Sequence, residues 1–362
     1  MKMKLKNLSK ILKDQPKYRY IQVNKAIFQD YISSWSEASS LPKSLREELI
    51  LECPLEIKAD VFEQGGRMLT KKALIYLEDG ESVETVLIRQ KAEKKDEERE
   101  DNESKTDSRE HRNTVCISSQ IGCPLDCAFC ATGQSGFKRN LSSEEIVEQV
   151  VFWQRLLKME GKQEKVDNIV FMGMGEPFLN YNEFIKAVKF INNPETLNIG
   201  ARRMSVSTAG ITEGIKRLAG EKLQINLAIS LHASTDNLRR KLMPVAKKYA
   251  LEDVFRAVDD YIKKTGRRVM FEYLMMKGIN DSQADAEELS ILMRRPLYLI
   301  NLIPYNETGC FQASTRETIN NFKNILEKNG VSVTVRLSFG SDISAACGQL
   351  KRNVGAKKKM FD

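Results

Sequence analysis

Four of the chain's seven cysteines, Cys116, Cys123, Cys127 and Cys130, fall within fifteen residues, and the last three form a CxxxCxxC. Three thiolates on one tight loop can each hold an iron of a cubane [4Fe-4S] cluster, because soft sulfur suits iron and short spacers let one loop wrap a cluster corner. The fourth iron is then left open. Zinc makes a different demand, since a closed structural site wants a fourth ligand, usually from a second CxxC or from paired histidines. The chain has only His111 and His232, neither at a zinc-like spacing from the triplet. A disulfide framework fits less well, because the cysteine count is odd and the opening Met-Lys-Met-Lys-Leu-Lys-Asn lacks the apolar stretch of a signal peptide. The spacing favours an iron-sulfur cluster, with zinc and buried structural thiols as the alternatives.

Other residues with chemical potential lie downstream. In Phe171-Met-Gly173-Met-Gly175-Glu176-Pro177 the glycines allow a backbone edge to approach a ligand's amino group, and Glu176 can accept a hydrogen bond from it. Taken alone, such a turn is a weak signal. Ser207, the run Ser230-Leu231-His232, and Asn306 each close a strand-like stretch. A lone Ser or Asn there is more often a turn former, and His232 alone would be a half-buried histidine. Cys347 sits among small residues, Ser344-Ala-Ala-Cys347-Gly-Gln, which leave room for a substrate to reach the sulfur; a buried free thiol is the plainer account. Cys53 and Cys310 have no motif around them and read as structural.

These residues need a scaffold. From Val115 onward, strand patterns at 115–117, 167–172, 203–207, 224–230, 268–275, 297–303 and 331–336 alternate with helical ones. The helices fall at 142–159, opened by the capping box Ser142 to Glu145, and at 181–192, 211–219, 251–264, 282–294 and 315–329. Alternation of this kind builds a parallel sheet with helices outside it, and function then belongs at the C-terminal ends of the strands. Residues 1–51 read as three short amphipathic helices with exposed lysines, one of them carrying Ile21, Ala26, Ile27 and Tyr31 at helical spacing. Residues 52–90 read as antiparallel strands in which Glu84, within Val83-Glu84-Thr85-Val86, would be an outward-facing carboxylate. Residues 91–113 carry seven Lys/Arg and nine Asp/Glu with almost nothing apolar, and read as a disordered linker. Residues 114–350 make the main domain and 351–362 a basic tail.

The net charge of +8 favours an anionic partner without identifying one, and because the linker contributes −2 the rest of the chain is more basic than the total. No run of eighteen apolar residues exists, so no membrane partner is expected and the cytoplasm is the expected location. There, thiols stay reduced and free to act as ligands and nucleophiles.

An open iron on a CxxxCxxC loop resembles the radical S-adenosylmethionine (SAM) enzymes. Cys116 seven residues before the triplet, Gly-Met-Gly-Glu-Pro at 173–177, Ser230-Leu231-His232 and Ala345-Ala-Cys347-Gly-Gln-Leu350 together resemble the RlmN/Cfr family of adenine methyltransferases acting on RNA. The likeness runs from Glu84 to Leu350. It implies an α/β fold, the open (β/α)6 partial barrel of the radical SAM type, with a small N-terminal helical domain that grips RNA and a short antiparallel β extension. It implies one [4Fe-4S] cluster on Cys123, Cys127 and Cys130, and SAM held by Gly175, Glu176, Ser207, Ser230, Leu231, His232 and Asn306. It also implies two SAM per turnover: one methylates Cys347, and the other, cleaved at the cluster, yields a radical that takes hydrogen from that methyl group. The methyl carbon then adds to adenine, Cys116 resolves the adduct through a transient disulfide with Cys347, and Glu84 accepts the proton. The implied partners are 23S rRNA at the peptidyl-transferase centre, tRNA at the adenosine beside the anticodon, and an electron donor such as flavodoxin or ferredoxin. Pro177 follows the members that methylate carbon 2, whereas the Cfr type, acting on carbon 8, resembles Gly-Met-Gly-Glu-Ala at this motif. A zinc-bearing RNA-binding protein without catalysis is the rival from another class.

Overall fold

A computed structural model of the protein describes residues 5–63, 70–91, 111–161, 164–309, 311–336 and 343–351. Three helices open the chain, α1 (Leu5–Ile11), α2 (Lys17–Phe28) and α3 (Lys43–Glu52). Strands β1 (Ala59–Glu63), β2 (Thr70–Tyr76) and β3 (Ser82–Lys91) form an antiparallel set, and β3 pairs antiparallel with β4 (His111–Cys116). A hairpin of β5 (Gln120–Gly122) and β6 (Phe137–Asn140) follows, enclosing the short α4 (Ala131–Gln134).

The alternating part then runs α5 (Ser143–Glu160), β7 (Asn168–Phe171), α6 (Tyr181–Asn192), β8 (Met204–Thr208), α7 (Thr212–Gly220) and β9 (Asn226–Ser230). It continues with α8 (Asp236–Leu242), α9 (Leu251–Thr265), β10 (Val269–Met275), α10 (Gln283–Met293), β11 (Tyr298–Pro304), α11 (Arg316–Lys328) and β12 (Val333–Val335). The ten-stranded sheet has the order β1-β2-β3-β4-β7-β8-β9-β10-β11-β12, parallel from β4 onward. This is the open partial-barrel architecture expected, its strands in sequence order.

The strands are apolar because helices cover them: Leu227, Ala228 and Ile229 of β9 are all buried, as parallel sheets require. The helices start where the sequence says they should. Ser142 accepts from the Glu145 N–H, while the Glu145 carboxylate accepts from Ser142 N at 2.8 Å and is gripped by Arg139.

One hydrophobic core runs from Leu8, Ile27 and Trp35 of the N-terminal helices through Trp153 of α5 to Phe322 of α11. The helical module is therefore part of the same body. Phe28 meets Phe190 edge-on at 4.8 Å, and Arg155 of α5 donates to the Leu55 carbonyl at 2.6 Å. Within α2 the expected apolar stripe is narrower, since Ile21 is exposed and Tyr31 lies beyond the helix end.

The antiparallel extension is not a separate sheet; it lengthens the barrel sheet on its β4 edge. The reading of 91–113 as linker is corrected at both ends, because Lys91 pairs with His111 and Asn113 with Arg89 in the β3–β4 ladder. Asn113 is buried, with its N–H donating to Asp167 at 2.9 Å and its side chain to Glu164, so a charged-looking stretch ends in a paired strand. Residues 92–110 lie outside the described residues, as do Cys310 and, apart from Lys351, the basic tail.

Candidate active site at the C-terminal edge of the sheet

The C-terminal ends of the parallel strands open onto one cavity of about 190 Å³. Its wall includes Cys116 at the end of β4, Cys123, Cys127 and Cys130 from the loop that follows, and Cys347 from the segment after β12. Four thiols of one fifteen-residue stretch and a fifth more than two hundred residues further on thus face one space. Gly175, Glu176, Ser207, Ser230, His232 and Asn306 line it as well.

The cysteine loop is shaped by the β5–β6 hairpin, which the sequence pattern did not reveal. Gly122 makes its closure possible: with φ +73°, its position has room for no side chain, because a Cβ would lie 1.7 Å from the Gly136 carbonyl oxygen. The loop rests on α8, where Ala128 N donates to the Leu242 carbonyl at 2.9 Å. Around it lies a second, smaller apolar core of Cys127, Phe129, Ala209, Leu242, Met243 and neighbours.

Burial pushes the Cys123 thiol up to about 12 and holds Cys127 well above the ordinary value, with Cys130 adding to both shifts. Neighbouring thiols of which Cys127 is buried and Cys123 and Cys130 are half-buried gain from a metal centre, which takes protons from its thiol ligands and supplies positive charge. Among the described residues no three His, Cys, Asp or Glu side chains converge as closely as a single ion requires. Three thiols of one short loop that line one cavity suit a cubane, which three thiolates hold with one iron left open.

The glycines of Gly173-Met-Gly175 line the cavity and also permit close packing behind it. A Cβ on Gly173 would meet Ser118 Oγ at 2.6 Å, and one on Gly175 would meet Gln120 Cβ at 2.5 Å, so both let β7's exit pack against the strand leading to the cysteine loop. The Glu176 carboxylate accepts from Phe178 N at 3.0 Å and Ala209 N at 2.7 Å, tying β7 to β8. Complete burial still raises its pKa to about 7.

Ser207 and Ser230 stand 3.3 Å apart, Oγ to Oγ, on adjacent strands. His232 has a left-handed backbone (φ 57°) and its Nδ1 accepts from Leu274 N at 3.1 Å. Burial, with Arg239 adding, lowers its pKa to about 3, so the ring is neutral, and the residue lines the cavity. Leu231 is fully buried and is not part of the cavity wall, its N–H donating to the Glu272 carbonyl and its own carbonyl accepting from Arg239.

Glu84 is likewise not outward-facing. It is buried, paired with Lys72 at 3.1 Å and accepting from Lys351 N at 2.9 Å, which anchors the segment carrying Cys347 rather than lining the cavity. That segment is also held by Ala131 N to the Gly348 carbonyl at 2.8 Å, Asn306 Nδ2 to the Cys347 carbonyl at 3.2 Å, and Thr132 to Leu350. Cys116 is buried and its thiol pushed up to about 12, by burial first and by Cys347 second. The two outlying thiols are near enough to feel one another.

Sequence reasoning missed three charged groups here. Glu272 of β10 and Arg336 after β12 both line the cavity, and one Glu272 carboxylate oxygen is buried without a partner. The Arg336 pKa is raised above its ordinary value, chiefly by Cys347, with Glu272 and Cys116 contributing. Arg239 of α8 is buried behind the loop. Only strand register reveals Glu272, which pairs with Ser230 on one side and Asn301 on the other.

Three comparisons define what this site belongs to. The family model described as the radical SAM superfamily matches residues 117–289, the span from the cysteine loop to α10. A crystal structure of a radical SAM methyltransferase from Sphaerobacter thermophilus superposes with a TM-score of 0.84 at 39% identity, covering 97% of each chain. Fold and cysteine loop therefore make this a radical SAM enzyme, a class that implies a [4Fe-4S] cluster and SAM.

Curated relatives narrow the class further. The "Ribosomal RNA large subunit methyltransferase N" of Nitrosopumilus maritimus is 43% identical over 344 residues, covering 93% of each chain. The "Probable dual-specificity RNA methyltransferase RlmN" of Syntrophomonas wolfei is 43% identical over 343 residues, covering 93% of this chain and 92% of its own. This chain belongs to the RlmN family, and it is a SAM-dependent RNA methyltransferase of the radical type.

Proposed function

We propose that the protein methylates carbon 2 of an adenosine in the peptidyl-transferase centre of 23S rRNA and of the adenosine at position 37 of tRNAs, through a methyl group carried on Cys347. The observation that supports this most is the sharing of one cavity by Cys116, Cys347 and the three cysteines of the loop. Adenine carbon 2 is not nucleophilic, so ordinary methyl transfer from SAM does not reach it. The cluster with its bound SAM supplies radical chemistry, and the protein's own residues do the rest.

Cys347 first takes a methyl group from one SAM by displacement, its sulfur forming the new bond to carbon as the sulfonium leaves with its electron pair. A second SAM is consumed in activating that methyl group, which makes two per turnover. Once the methyl carbon is bonded to adenine and the ring proton at carbon 2 has left, Cys116 attacks the Cys347 sulfur: the sulfur–sulfur bond forms as the sulfur–carbon bond breaks, and its electron pair stays with the carbon, which takes up a proton to complete the methyl group. Glu84 is the proton acceptor; since its carboxylate anchors the Cys347 segment, it becomes available when Lys351 N–H lets go. An external flavodoxin- or ferredoxin-like protein delivers the electrons.

The dual-specificity name of the Syntrophomonas relative supports tRNA as a second substrate, and the basic, partly aromatic surface of α2, with Tyr18 exposed beside Arg19, supports RNA contact by the helical module. Pro177, opening the turn after Glu176, supports carbon 2 over carbon 8. Anaerobic reconstitution with methyl-labelled SAM, rRNA and tRNA fragments, followed by mass-spectrometric mapping, tests all of this. Label on adenine carbon 2 in both RNAs is expected; label on carbon 8 replaces the reading by the Cfr type, and label in rRNA alone removes tRNA.

A further inference from the structure

Arg239 is completely buried, yet it has no carboxylate at ion-pair distance among the described residues. Its guanidinium is spent on four main-chain carbonyls: Ala209 at 2.7 Å, Tyr249 at 3.0 Å, Leu231 at 3.3 Å and Ser230 at 3.4 Å. Neutral carbonyls satisfy its N–H groups but leave its charge uncancelled, which is costly unless an anion completes the site. Asp236, one turn earlier on α8, is the acid it senses most, and that carboxylate already accepts from Leu251 N at 2.9 Å.

The geometry around Arg239 points to where the anion belongs. Two of its carbonyl partners, on Ala209 and Ser230, come from residues of the cavity wall. The helix that carries it receives the cysteine loop through Ala128 and Leu242, and the small apolar core containing Cys127, Ala209 and Leu242 fills the region with groups that screen charge poorly. A cubane bound by three thiolates is anionic, and becomes more so when it accepts an electron.

We infer that Arg239 is the buried counter-charge of the cluster, a positioning residue that raises its reduction potential by favouring the more anionic reduced state. This rests on the cluster assignment above and goes beyond it. The balance is simple: one electron enters from an external donor, no bond forms or breaks, and the guanidinium keeps its proton throughout.

The test is a dithionite titration of the full chain, reconstituted with iron and sulfide and free of SAM, followed by electron paramagnetic resonance. Arg239→Gln, which removes the charge, is expected to lower the reduced-to-oxidised ratio at the wild-type midpoint by about tenfold, the scale of one charge acting through poorly screened protein. Arg239→Lys keeps the charge and should stay within about twofold of wild type. Asp236→Asn, which leaves the carbonyl clamp in place, should raise the ratio. Equal shifts in the Gln and Lys variants, or an unshifted Gln variant with full iron content, would overturn the inference, since the residue would then be only a clamp. If both Arg239 variants lose their iron, an unshifted Asp236→Asn overturns it and an upward shift supports it. A brown wild type with unshifted variants removes this inference alone, whereas a colourless, iron-free wild type removes the cluster assignment beneath it.

Discussion

The cysteine loop and the Cys347 segment face each other across one cavity, and they are held in opposite ways. The first is built into the core. Ser118 exchanges hydrogen bonds with the buried Gln149 side chain, at 2.8 and 2.9 Å, Asn180 donates to the Ser119 carbonyl at 2.9 Å, and the β5–β6 hairpin closes behind. The second lies across the sheet's open edge on anchors from several elements, Glu84 and Lys72 of the extension, Thr132, and Asn306, the last at 3.2 Å. Ser344 and Gly348 adopt left-handed backbone, at φ 51° and 83°. A loop that carries a cluster must hold its sulfurs still, whereas a sulfur that accepts and then surrenders a group needs a segment that can shift. The two constructions match the two kinds of work proposed for them.

Breaking the rigid loop should have the largest effect. Cys127→Ala removes one corner of the three-thiolate set, so iron content and 5′-deoxyadenosine production should both fall to background. Retained SAM cleavage in that variant would contradict the cluster assignment.

Replacing the two thiols outside the triplet, Cys116 and Cys347, should separate them from one another. Cys347→Ala has no sulfur to methylate and should give neither methylated protein nor RNA adduct. Cys116→Ala should load the methyl group, react once and stall with RNA attached. If both were only packing residues, each would lose on the order of 1–3 kcal/mol of stability and form no covalent species. A denaturing gel of Cys116→Ala with and without ribonuclease decides: no nuclease-sensitive band, with the cluster intact, rules the covalent route out.

Glu84 joins the two regions, and Glu84→Gln asks which it serves. A neutral amide weakens both the pairing with Lys72 and the bond from Lys351, at a cost of about 1–3 kcal/mol read as a lower melting temperature. If Glu84 is the proton acceptor, methyl loading on Cys347 continues and the RNA adduct accumulates. Loss of methyl loading itself would make it an anchor only.

The rigid side should also carry a pH signature. His232 titrates near 6.5 when unfolded and about 3 when folded, so between those values the unfolded chain binds the extra proton. Its contribution to stability is intact above pH 6.5 and is lost toward acid, by up to about 1.4 kcal/mol per pH unit. Unfolding midpoints at pH 6.0 and 5.0 should therefore differ more for wild type than for His232→Asn. Parallel slopes would mean the imidazole is not held neutral.

The chemistry-bearing part of the site was legible because its residues are rare and closely spaced, and the alternation of elements was legible because both faces of the sheet are covered. Helix α6 begins and ends where the periodicity puts it. What escaped notice depends on pairing across distance. Glu272 looks like any polar residue in a strand until register sets it beside Ser230, and Arg239 sits among surface-like basic residues, Arg240 and Lys241, with nothing in the pattern to mark it as buried. Hairpin β5–β6 was invisible because its strands are short and its turn is filled by the cysteine loop. Gly122 and Gly136, both at φ 73°, were its one available signal.

The smallest effect is expected from the segment between the extension and the barrel. Lys91 at the end of β3 pairs directly with His111 at the start of β4, so the two strand ends are adjacent and a two-residue turn spans the gap. Replacing residues 92–110 by Asn-Gly should leave the β3–β4 ladder, the position of Cys116 at its far end, the cluster content and methyl loading of Cys347 at wild-type levels, with melting changed by less than about 1 kcal/mol. The removed residues carry an excess of acidic over basic charge, so their loss also makes the protein more basic. RNA methylation should accordingly hold or rise slightly at low salt and converge with wild type as salt increases. A deep loss of RNA methylation with iron and methyl-Cys347 unchanged would show that this segment meets the substrate, and would add a third region to the pair that the cavity already joins.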